Sequence, residues 1–545
     1  MDYNRIDSIS RSQHPNNHSG KIQYGTAGFR TNSDALDHVL YRMGILTVLR
    51  SKLKNAAIGL MITASHNEEP DNGVKLVDPA GEMLESSWED IATHLANVPD
   101  SELVSTLKKI VNEQNINEDT PASVIIGRDS RESGWALSRS AIDGINAADG
   151  SIQDFGIITT PQLHYLIVCS NTNGAYGESS VEGYFSKLGD AFLRVKESKN
   201  KDIYLGEIYL DAANGVGGIA AKEFQKILDG NLTIRVFNDG NGALNYKCGA
   251  DYVKVQQRPP LNSPVKPFTR CVSIDGDADR VVYYYIDECE KFHLLDGDRI
   301  ATLTAGYLKE LVEESGLNIR LGLVQTAYAN GASTNYISQL LKVPVVCTDT
   351  GVKHLHRKAL EFDIGVYFEA NGHGTVVVKQ NILEMITIAS QTNSRSLAEK
   401  CQTAALKLKN LIDIVNQTVG DALSDMLLVE AILYARGWDV TTWEKSYADL
   451  PNRQLKVKVQ DRNVIQTSDA ARKCISPPEL QDKINELVAR YRKGRAFVRA
   501  SGTEDVVRIY AECDSPTDVE KLAAEVALAV YRLAGGVGSE PIIPT

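Results

Sequence analysis

The stretch Ile58-Gly-Leu-Met-Ile-Thr-Ala-Ser-His-Asn-Glu-Glu-Pro-Asp-Asn-Gly73 joins an apolar run to a polar turn carrying a serine, a histidine and an asparagine in succession. The apolar part, residues 58–62, reads as a buried strand. Ser65 follows it, where a hydroxyl can project from a sheet edge into a cleft. The same letters also suit a Ser/Asn turn that satisfies its own backbone. The stretch is not a GxSxG elbow, so serine-hydrolase chemistry has little support.

Outward from this stretch, short apolar strands alternate with amphipathic helices. Residues 123–126 are expected to form a strand, after which Leu137, Ala141, Ile142 and Ile145 follow helical spacing. Residues 206–210 form another expected strand, leading to a helix with Ala220, Phe224, Ile227 and Leu228 on one face. Near the end, Ser515-Pro516 reads as an N-cap and first helical residue. Val519, Leu522, Val526, Val530 and Leu533 make the stripe that follows, closed by Gly535-Gly536. This alternation predicts α/β layers. A chain of 545 residues is too long for one core and implies about three to four domains. Polar stretches lie at 112–121 and 450–454, and we place boundaries near 176, 292 and 449, giving domains 1–176, 177–292, 293–449 and 450–545.

Hydrophobic residues make up 43% and charged residues 23%, and the net charge of −12 argues against a nucleic-acid or anionic-membrane partner. Small anionic substrates respond instead to local charge. The 8 cysteines form no CxxC pair, a pattern of reduced thiols rather than of disulfides or a zinc site. No apolar leader segment opens the chain and no run reaches transmembrane length, so a cytoplasmic location is expected.

Three more loops carry chemistry. Asp275-Gly-Asp-Ala-Asp-Arg280 follows an expected strand at 271–274, with Gly276 permitting a tight turn. Its three carboxylates, Asp275, Asp277 and Asp279, repel one another unless a cation compensates. Hard oxygen ligands favour Mg²⁺ or Ca²⁺, and the later glutamate of an EF-hand is missing. Phe368-Glu-Ala-Asn-Gly-His-Gly374 sets Glu369, Asn371 and His373 close together. That set suits sugar hydroxyls, and equally a Gly-rich turn capped by asparagine. Arg499-Ala-Ser-Gly-Thr-Glu-Asp-Val-Val-Arg508 lies between two expected strands. Ser501, Gly502 and Thr503 offer N–H groups and hydroxyls, and Arg499 and Arg508 offer guanidinium forks, a set that can cradle a phosphate. Together the four loops fit phosphoryl transfer.

In this order the loops resemble the α-D-phosphohexomutase superfamily, and within it the eukaryotic branch acting on N-acetylglucosamine phosphates. The likeness runs from 23–30 (Gln-Tyr-Gly-Thr-Ala-Gly-Phe-Arg) to 533–538, and includes 325–331 and 350–356. It implies three layered α/β domains, then a smaller α+β domain, with the active site in a cleft among the four. It implies that Ser65 is phosphorylated and that one Mg²⁺ bridges it to Asp275, Asp277 and Asp279. Glu369, Asn371, Gly372 and His373 match the sugar loop; Arg499, Ser501, Gly502, Thr503 and Arg508 match the phosphate loop. Arg30, His66 and Lys75 match residues around the transferring group, Lys75 being a candidate general acid/base. Arg280, Thr350, Gly351 and Lys353 fall in matching stretches. The implied reaction interconverts N-acetylglucosamine 6-phosphate and 1-phosphate through a 1,6-bisphosphate, supplying UDP-N-acetylglucosamine synthesis. Two departures stand out. Glu68-Glu69 separate Asn67 from Pro70, where the superfamily has proline directly, and Ala500 replaces the usual proline of the phosphate loop. A phosphoglucomutase or phosphomannomutase of the same superfamily is the nearest rival, and a phosphoserine-dependent phosphatase a more distant one.

Overall fold

The run Ile58–Ile62 forms a strand buried along its whole length. In the computed structural model it lies at the centre of a mixed sheet. The structure describes residues 1–18, 20–25, 28–196, 204–264, 266–391, 397–501 and 505–544. The first sheet is built from β1 (Phe29–Asn32), β2 (Ile58–Ile62), β3 (Asp71–Val77), β4 (Ser123–Arg128) and β5 (Ser151–Ile157), in the order β1-β3-β2-β4-β5. The β1–β3 and β3–β2 pairs are antiparallel; β2–β4 and β4–β5 are parallel. Helices Asp37–Lys54, Gly134–Ala147 and Thr160–Asn171 pack on it, and its core takes in Val39, Leu46, Leu60, Ile62, Val124 and Ile145.

The second sheet, of β6 (Glu207–Asp211), β7 (Thr233–Phe237), β8 (Cys271–Ile274), β9 (Val281–Ile286) and β10 (Phe292–Leu295), has the order β10-β9-β8-β6-β7. Strands β8, β6 and β7 are parallel, while β8 and β9 pair antiparallel from Ile274↔Val281 outward. The six residues Asp275–Arg280 are therefore the loop of a β-hairpin. Both sheets belong to one compact unit, residues 1–297, 371–377 and 383–441.

A second unit comprises residues 298–370, 378–382 and 442–545. In it β11 (Leu321–Gln325), β12 (Val345–Cys347) and β13 (Ile364–Phe368) run parallel, with β11 in the middle. After β13 comes β14 (Gly374–Val378). The last domain is antiparallel: β15 (Asn452–Lys458), a hairpin of β16 (Gln466–Ser468) and β17 (Lys473–Ser476), then β18 (Arg495–Ala500) and β19 (Val506–Glu512), with β19 between β15 and β18. Helices Pro478–Val488 and Pro516–Leu533 contribute Leu480, Ile484, Leu522 and Val526 to its core. The fold is thus three α/β domains and a smaller α+β domain.

One expectation needs correction: Leu533 falls on the apolar stripe of the last helix, but it ends that helix and is 40% exposed. Ser515 does cap the helix, accepting from the Asp518 N–H. The polar stretch 450–454 enters an edge strand at Asn452, whose solvent-facing positions explain its polar letters.

One buried ion pair ties helix Ala422–Arg436 to the second sheet. Arg270 Nε and Nη2 donate to Glu430 Oε1 and Oε2 at 2.9 and 2.8 Å, and the Tyr204 and Tyr283 hydroxyls add bonds of 2.7 and 3.2 Å. This matters for the site because the first N–H of that helix, Ala422, donates to Ala278 O in the Asp275–Arg280 loop. Removing one partner of such a buried pair costs about 3–5 kcal/mol. Glu430→Ala should therefore lower the unfolding free energy of this unit by about that amount. The double variant Arg270→Met/Glu430→Leu should recover most of it. Urea denaturation of the three proteins checks this, and equal stability of single and double variants would contradict it.

Candidate active site

Strand pairing assembles the first part of the site. On β1, Arg30 lies opposite Gly73 of β3, and on β3, Lys75 lies opposite Met61 of β2, so both basic residues flank the turn that β2 feeds. Ser65 occupies that turn in the left-handed region, with φ 50°. Its Oγ accepts from Arg30 Nη2 and Lys75 Nζ, both at 3.0 Å, and donates to Asp277 Oδ2 at 3.0 Å. The sequence suggested a hydroxyl projecting into a cleft; instead Ser65 is fully buried, because charged side chains close over it.

The hairpin loop between β8 and β9 supplies the carboxylates. Asp275, Asp277 and Asp279 are all buried, and one oxygen of each lies within 4.8 Å of the others. Asp275 Oδ1 accepts the N–H groups of Asp279 and Arg280, both at 3.1 Å, which fixes the loop. Gly276 was expected to permit the tight turn, but the left-handed residue is Ala278, with φ 60°. Gly276 is needed for closeness instead: a Cβ there would meet Ser65 O at 2.8 Å.

Lys75 Nζ bridges Asp277 Oδ2 and Asp279 Oδ2 at 2.9 and 3.1 Å. Burial disfavours its charge, yet the two carboxylates outweigh burial and raise its pKa, so Lys75 is an ammonium donor. Asp279 is likewise buried, but Lys75, His373 and Arg280 hold it well below the usual carboxylate range. Burial and the charges of Asp279 and Asp277 push Asp275 well above that range. Among the described residues Asp275 Oδ2, Asp277 Oδ1 and Asp279 Oδ1 are buried and accept no hydrogen bond, Asp279 Oδ1 lying 3.3 Å from His373 Nδ1 and 3.8 Å from Arg280 Nε. Three buried carboxylates with oxygens turned to a common point and lacking donors fit a divalent cation with hard oxygen ligands.

His66 sends Nε2 towards Asp251 Oδ2, 3.4 Å away. Burial and the Arg280 guanidinium push its imidazole down to about 3, so it is neutral. Among the described residues no hydrogen bond joins it to Ser65. Arg280 donates through Nη1 to both Asp251 oxygens at 2.8 and 3.0 Å. In the Gly-rich loop, Asn371 Oδ1 accepts the His373 N–H at 3.0 Å, and Gly372 O accepts the Val281 N–H at 3.2 Å. The asparagine therefore shapes the turn, as one of its two sequence readings held.

In the second unit Glu369 Oε1 accepts the Gly351 N–H at 3.1 Å, which joins the Thr350-Gly351-Val-Lys353 stretch to the end of β13. Arg499 of β18 and Arg508 of β19 are direct cross-strand partners. Like charges opposite one another destabilise a sheet unless an anion is shared between them. Ser501 Oγ and Arg508 Nε are buried and make no hydrogen bond among the described residues. Gly502 and Thr503 lie outside the described residues.

Sequence reading missed Thr160, Asp251, Arg131 and Asn245. Thr160, the first residue of its helix, donates from Oγ1 to Asp277 Oδ2 at 2.6 Å. Asp251, in the first turn of helix Ala250–Gln256, takes up Arg280. Arg131 holds the Ser65 turn by its backbone. Only Arg131 carried a local signal, the charged Gly127-Arg-Asp-Ser-Arg131 run at the end of β4.

Four family descriptions match the chain in succession. The phosphoglucomutase/phosphomannomutase alpha/beta/alpha domain I covers 44–102 and 94–177. Phosphoacetylglucosamine mutase AMG1 domain II covers 179–282 and domain III covers 296–438. The phosphoglucomutase/phosphomannomutase C-terminal domain covers 455–529. These matches and the fold define a phosphohexomutase, an isomerase class. The phosphoacetylglucosamine mutase of Sus scrofa is 53% identical over 526 residues, 95% of this chain and 96% of that protein. The chain belongs to the phosphoacetylglucosamine mutase family. The Aspergillus fumigatus N-acetylphosphoglucosamine mutase in complex with GlcNAc-6P and magnesium superposes with a TM-score of 0.92 at 46% identity, covering 97% of this chain and 99% of that one. A variant of that fungal enzyme in complex with glucose 1,6-bisphosphate gives 0.91 at 47%, covering 98% and 99%. Among the described residues, no helix is long and apolar enough to cross a membrane.

The carboxylate triad gives a test with a definite sign. A divalent cation added to metal-free protein should raise the thermal midpoint, and EDTA should reverse the rise. Burial and the neighbouring carboxylates already disfavour ionisation of Asp275 in the metal-free protein, so Asp275→Asn removes a cation ligand with little change in the charge there. It should leave the metal-free midpoint within about 2 °C of wild type while weakening the response to Mg²⁺. Differential scanning calorimetry reads both, and a destabilised Asp275→Asn with an undiminished Mg²⁺ response would contradict the assignment.

Proposed function

We propose that the chain interconverts N-acetylglucosamine 6-phosphate and N-acetylglucosamine 1-phosphate with Ser65 as the phosphoryl carrier. The observation that carries this reading is the Ser65 hydroxyl, gripped by Arg30, Lys75 and Asp277 within 3.0 Å. Asp275, Asp277, Asp279 and the phosphoryl oxygens on Ser65 would hold one Mg²⁺. Bound there, Mg²⁺ offsets negative charge on the transferring group.

The sugar's free hydroxyl attacks phosphorus on phosphoserine 65. The new O–P bond forms, the Oγ–P bond breaks, and the hydroxyl proton passes to solvent water. Lys75, held as an ammonium, gives a proton to Oγ as charge develops on it and takes that proton back when Oγ attacks in the return step, so it serves as acid and then as base. The resulting 1,6-bisphosphate turns over. Oγ then attacks the other phosphorus, regenerating phosphoserine and releasing the isomer. Arg499, Ser501, Gly502, Thr503 and Arg508 bind the phosphate that is not reacting. Glu369, Asn371, Gly372 and His373 contact the sugar, with Thr350, Gly351 and Lys353 supporting that loop. His66, neutral beside Asp251, and Arg280 shape the charge around the transferring group. We further propose domain boundaries near 176, 292 and 449. Supply of UDP-N-acetylglucosamine synthesis and a cytoplasmic setting complete the reading, the latter supported by eight free cysteines.

Ser65→Ala should abolish turnover of N-acetylglucosamine 6-phosphate in a phosphorus NMR assay with Mg²⁺ and trace bisphosphate. Near-normal turnover would reject Ser65 as the carrier. Arg499→Ala should chiefly raise KM, by about ten- to a hundredfold, because a charge-assisted bond of about 1.5–3 kcal/mol is lost. An unchanged KM for both phosphosugars would move the phosphate site elsewhere. Asn371→Ser should lower kcat/KM for the N-acetylated substrate by roughly tenfold and for glucose 6-phosphate much less. An equal fall for both would leave Asn371 with a turn-shaping role only.

A further inference from the structure

Ser65 sits in a conformation that non-glycine residues avoid, and such strain persists only where the surroundings over-determine it. The surroundings here are specific. The Ser65 N–H donates to Thr63 Oγ1 at 2.9 Å, and Thr63 Oγ1 donates in turn to Asp129 Oδ2 at 2.7 Å. Ser65 O accepts two bonds, from Arg131 Nη2 at 3.0 Å and Asn245 Nδ2 at 2.8 Å. Both backbone groups of the residue are therefore engaged by side chains.

The same two donors hold the rest of the turn. Arg131 Nη2 also reaches Asn67 O at 2.8 Å, and its Nη1 reaches Glu68 O and Asp71 O, both at 2.8 Å. Asn245 Nδ2 also reaches Asn67 O at 2.9 Å. Arg131 is buried and oriented by Asp129, whose Oδ2 accepts from its Nε at 3.0 Å. The side chains of Glu68 and Glu69 point to solvent while the carbonyls around them point into this clamp. A proline after Asn67 would fix φ and narrow the unfolded ensemble. Glu68 in its place cannot, so the turn needs another restraint.

We propose that Arg131 and Asn245 are positioning residues for the phosphoryl carrier. By clamping the carbonyls of 65, 67, 68 and 71, they hold Ser65 Oγ in line with Lys75 and Asp277 although two glutamates stand between Asn67 and Pro70. Neither residue touches the reacting atoms; each acts through the Ser65 backbone. The inference rests on the reading of Ser65 as the carrier.

The test compares Asn245→Ala, Asn245→Asp, Arg131→Lys and Ser65→Ala, each as full-length protein with Mg²⁺ and a sugar 1,6-bisphosphate. A displacement of order 1 Å at a reacting atom can cost about a hundredfold. Asn245→Ala should thus lower kcat by about ten- to a hundredfold with KM for the phosphosugar within about threefold of wild type. Asn245→Asp should be worse than Asn245→Ala, because a carboxylate would face two carbonyl oxygens. The rate at which the bisphosphate phosphorylates Ser65, followed by intact-protein mass spectrometry, should fall in the same order. Arg131→Lys keeps the charge but loses the fork and should show the same split between kcat and KM. Were it to fold poorly, the Asn245 pair decides alone. The proposal is overturned if both Asn245 variants keep kcat within twofold while Ser65→Ala is inactive. It is also overturned if their losses merely track a falling thermal midpoint. An active Ser65→Ala would instead remove the carrier reading itself.

Discussion

Three carboxylates buried within 4.8 Å of one another are the constraint on which the first unit depends. At an effective dielectric of about 20, each like-charge pair at that spacing repels by about 3–4 kcal/mol. The protein answers with cations beside them. Lys75 bridges Asp277 and Asp279, and Arg280 approaches Asp275 and Asp279. Even so, burial and the two neighbouring carboxylates drive Asp275 well above the ordinary carboxylate range. Three buried carboxylates beside a hydroxyl with two basic donors are suited to receive a metal and a phosphoryl group together.

The position of Ser65 follows from the same cluster and from the turn that presents it. Its hydroxyl shares Asp277 Oδ2 with Lys75 and Thr160, so hydroxyl, ammonium and carboxylate are fixed as one arrangement. The backbone is held separately, by Thr63 below and by Arg131 and Asn245 on the carbonyl side. Gly276 lets the carboxylate hairpin approach this carbonyl, since any Cβ there would collide with it. Preorganisation of this kind lowers the reorganisation needed when charge moves in the transition state.

Much of this was legible in the letters. The apolar run ending at Ile62, the alternating aspartates after Ile274 and the arginines at 499 and 508 each announce a local geometry, and each became a strand end, a hairpin loop or a cross-strand pair. The residues that escaped notice act across long separations. Thr160 reaches Asp277 over 117 positions, and Asn245 reaches Ser65 over 180. A lone threonine at a helix start or an asparagine in a polar loop has many ordinary uses, so nothing local marks these two. Gly276 was noticed for the wrong reason: turn chemistry suggests conformational freedom, whereas only the folded packing reveals a close approach. The burial of Ser65 was equally hidden, because the side chains that cover it come from other strands of its sheet and from a loop of another sheet.

Central to this account is that the phosphoryl group leaving Ser65 ends on the sugar, and the sugar's own phosphoryl group ends on Ser65. The direct measurement is a single turnover of protein carrying a radiolabelled phosphoryl group on Ser65, mixed with unlabelled N-acetylglucosamine 6-phosphate and Mg²⁺. The account predicts that label leaves the protein at the rate of turnover and appears at carbon 1 of the N-acetylglucosamine 1-phosphate formed, while Ser65 remains phosphorylated by unlabelled phosphate. Label that stays on the protein through product formation, or that appears as inorganic phosphate, would contradict it.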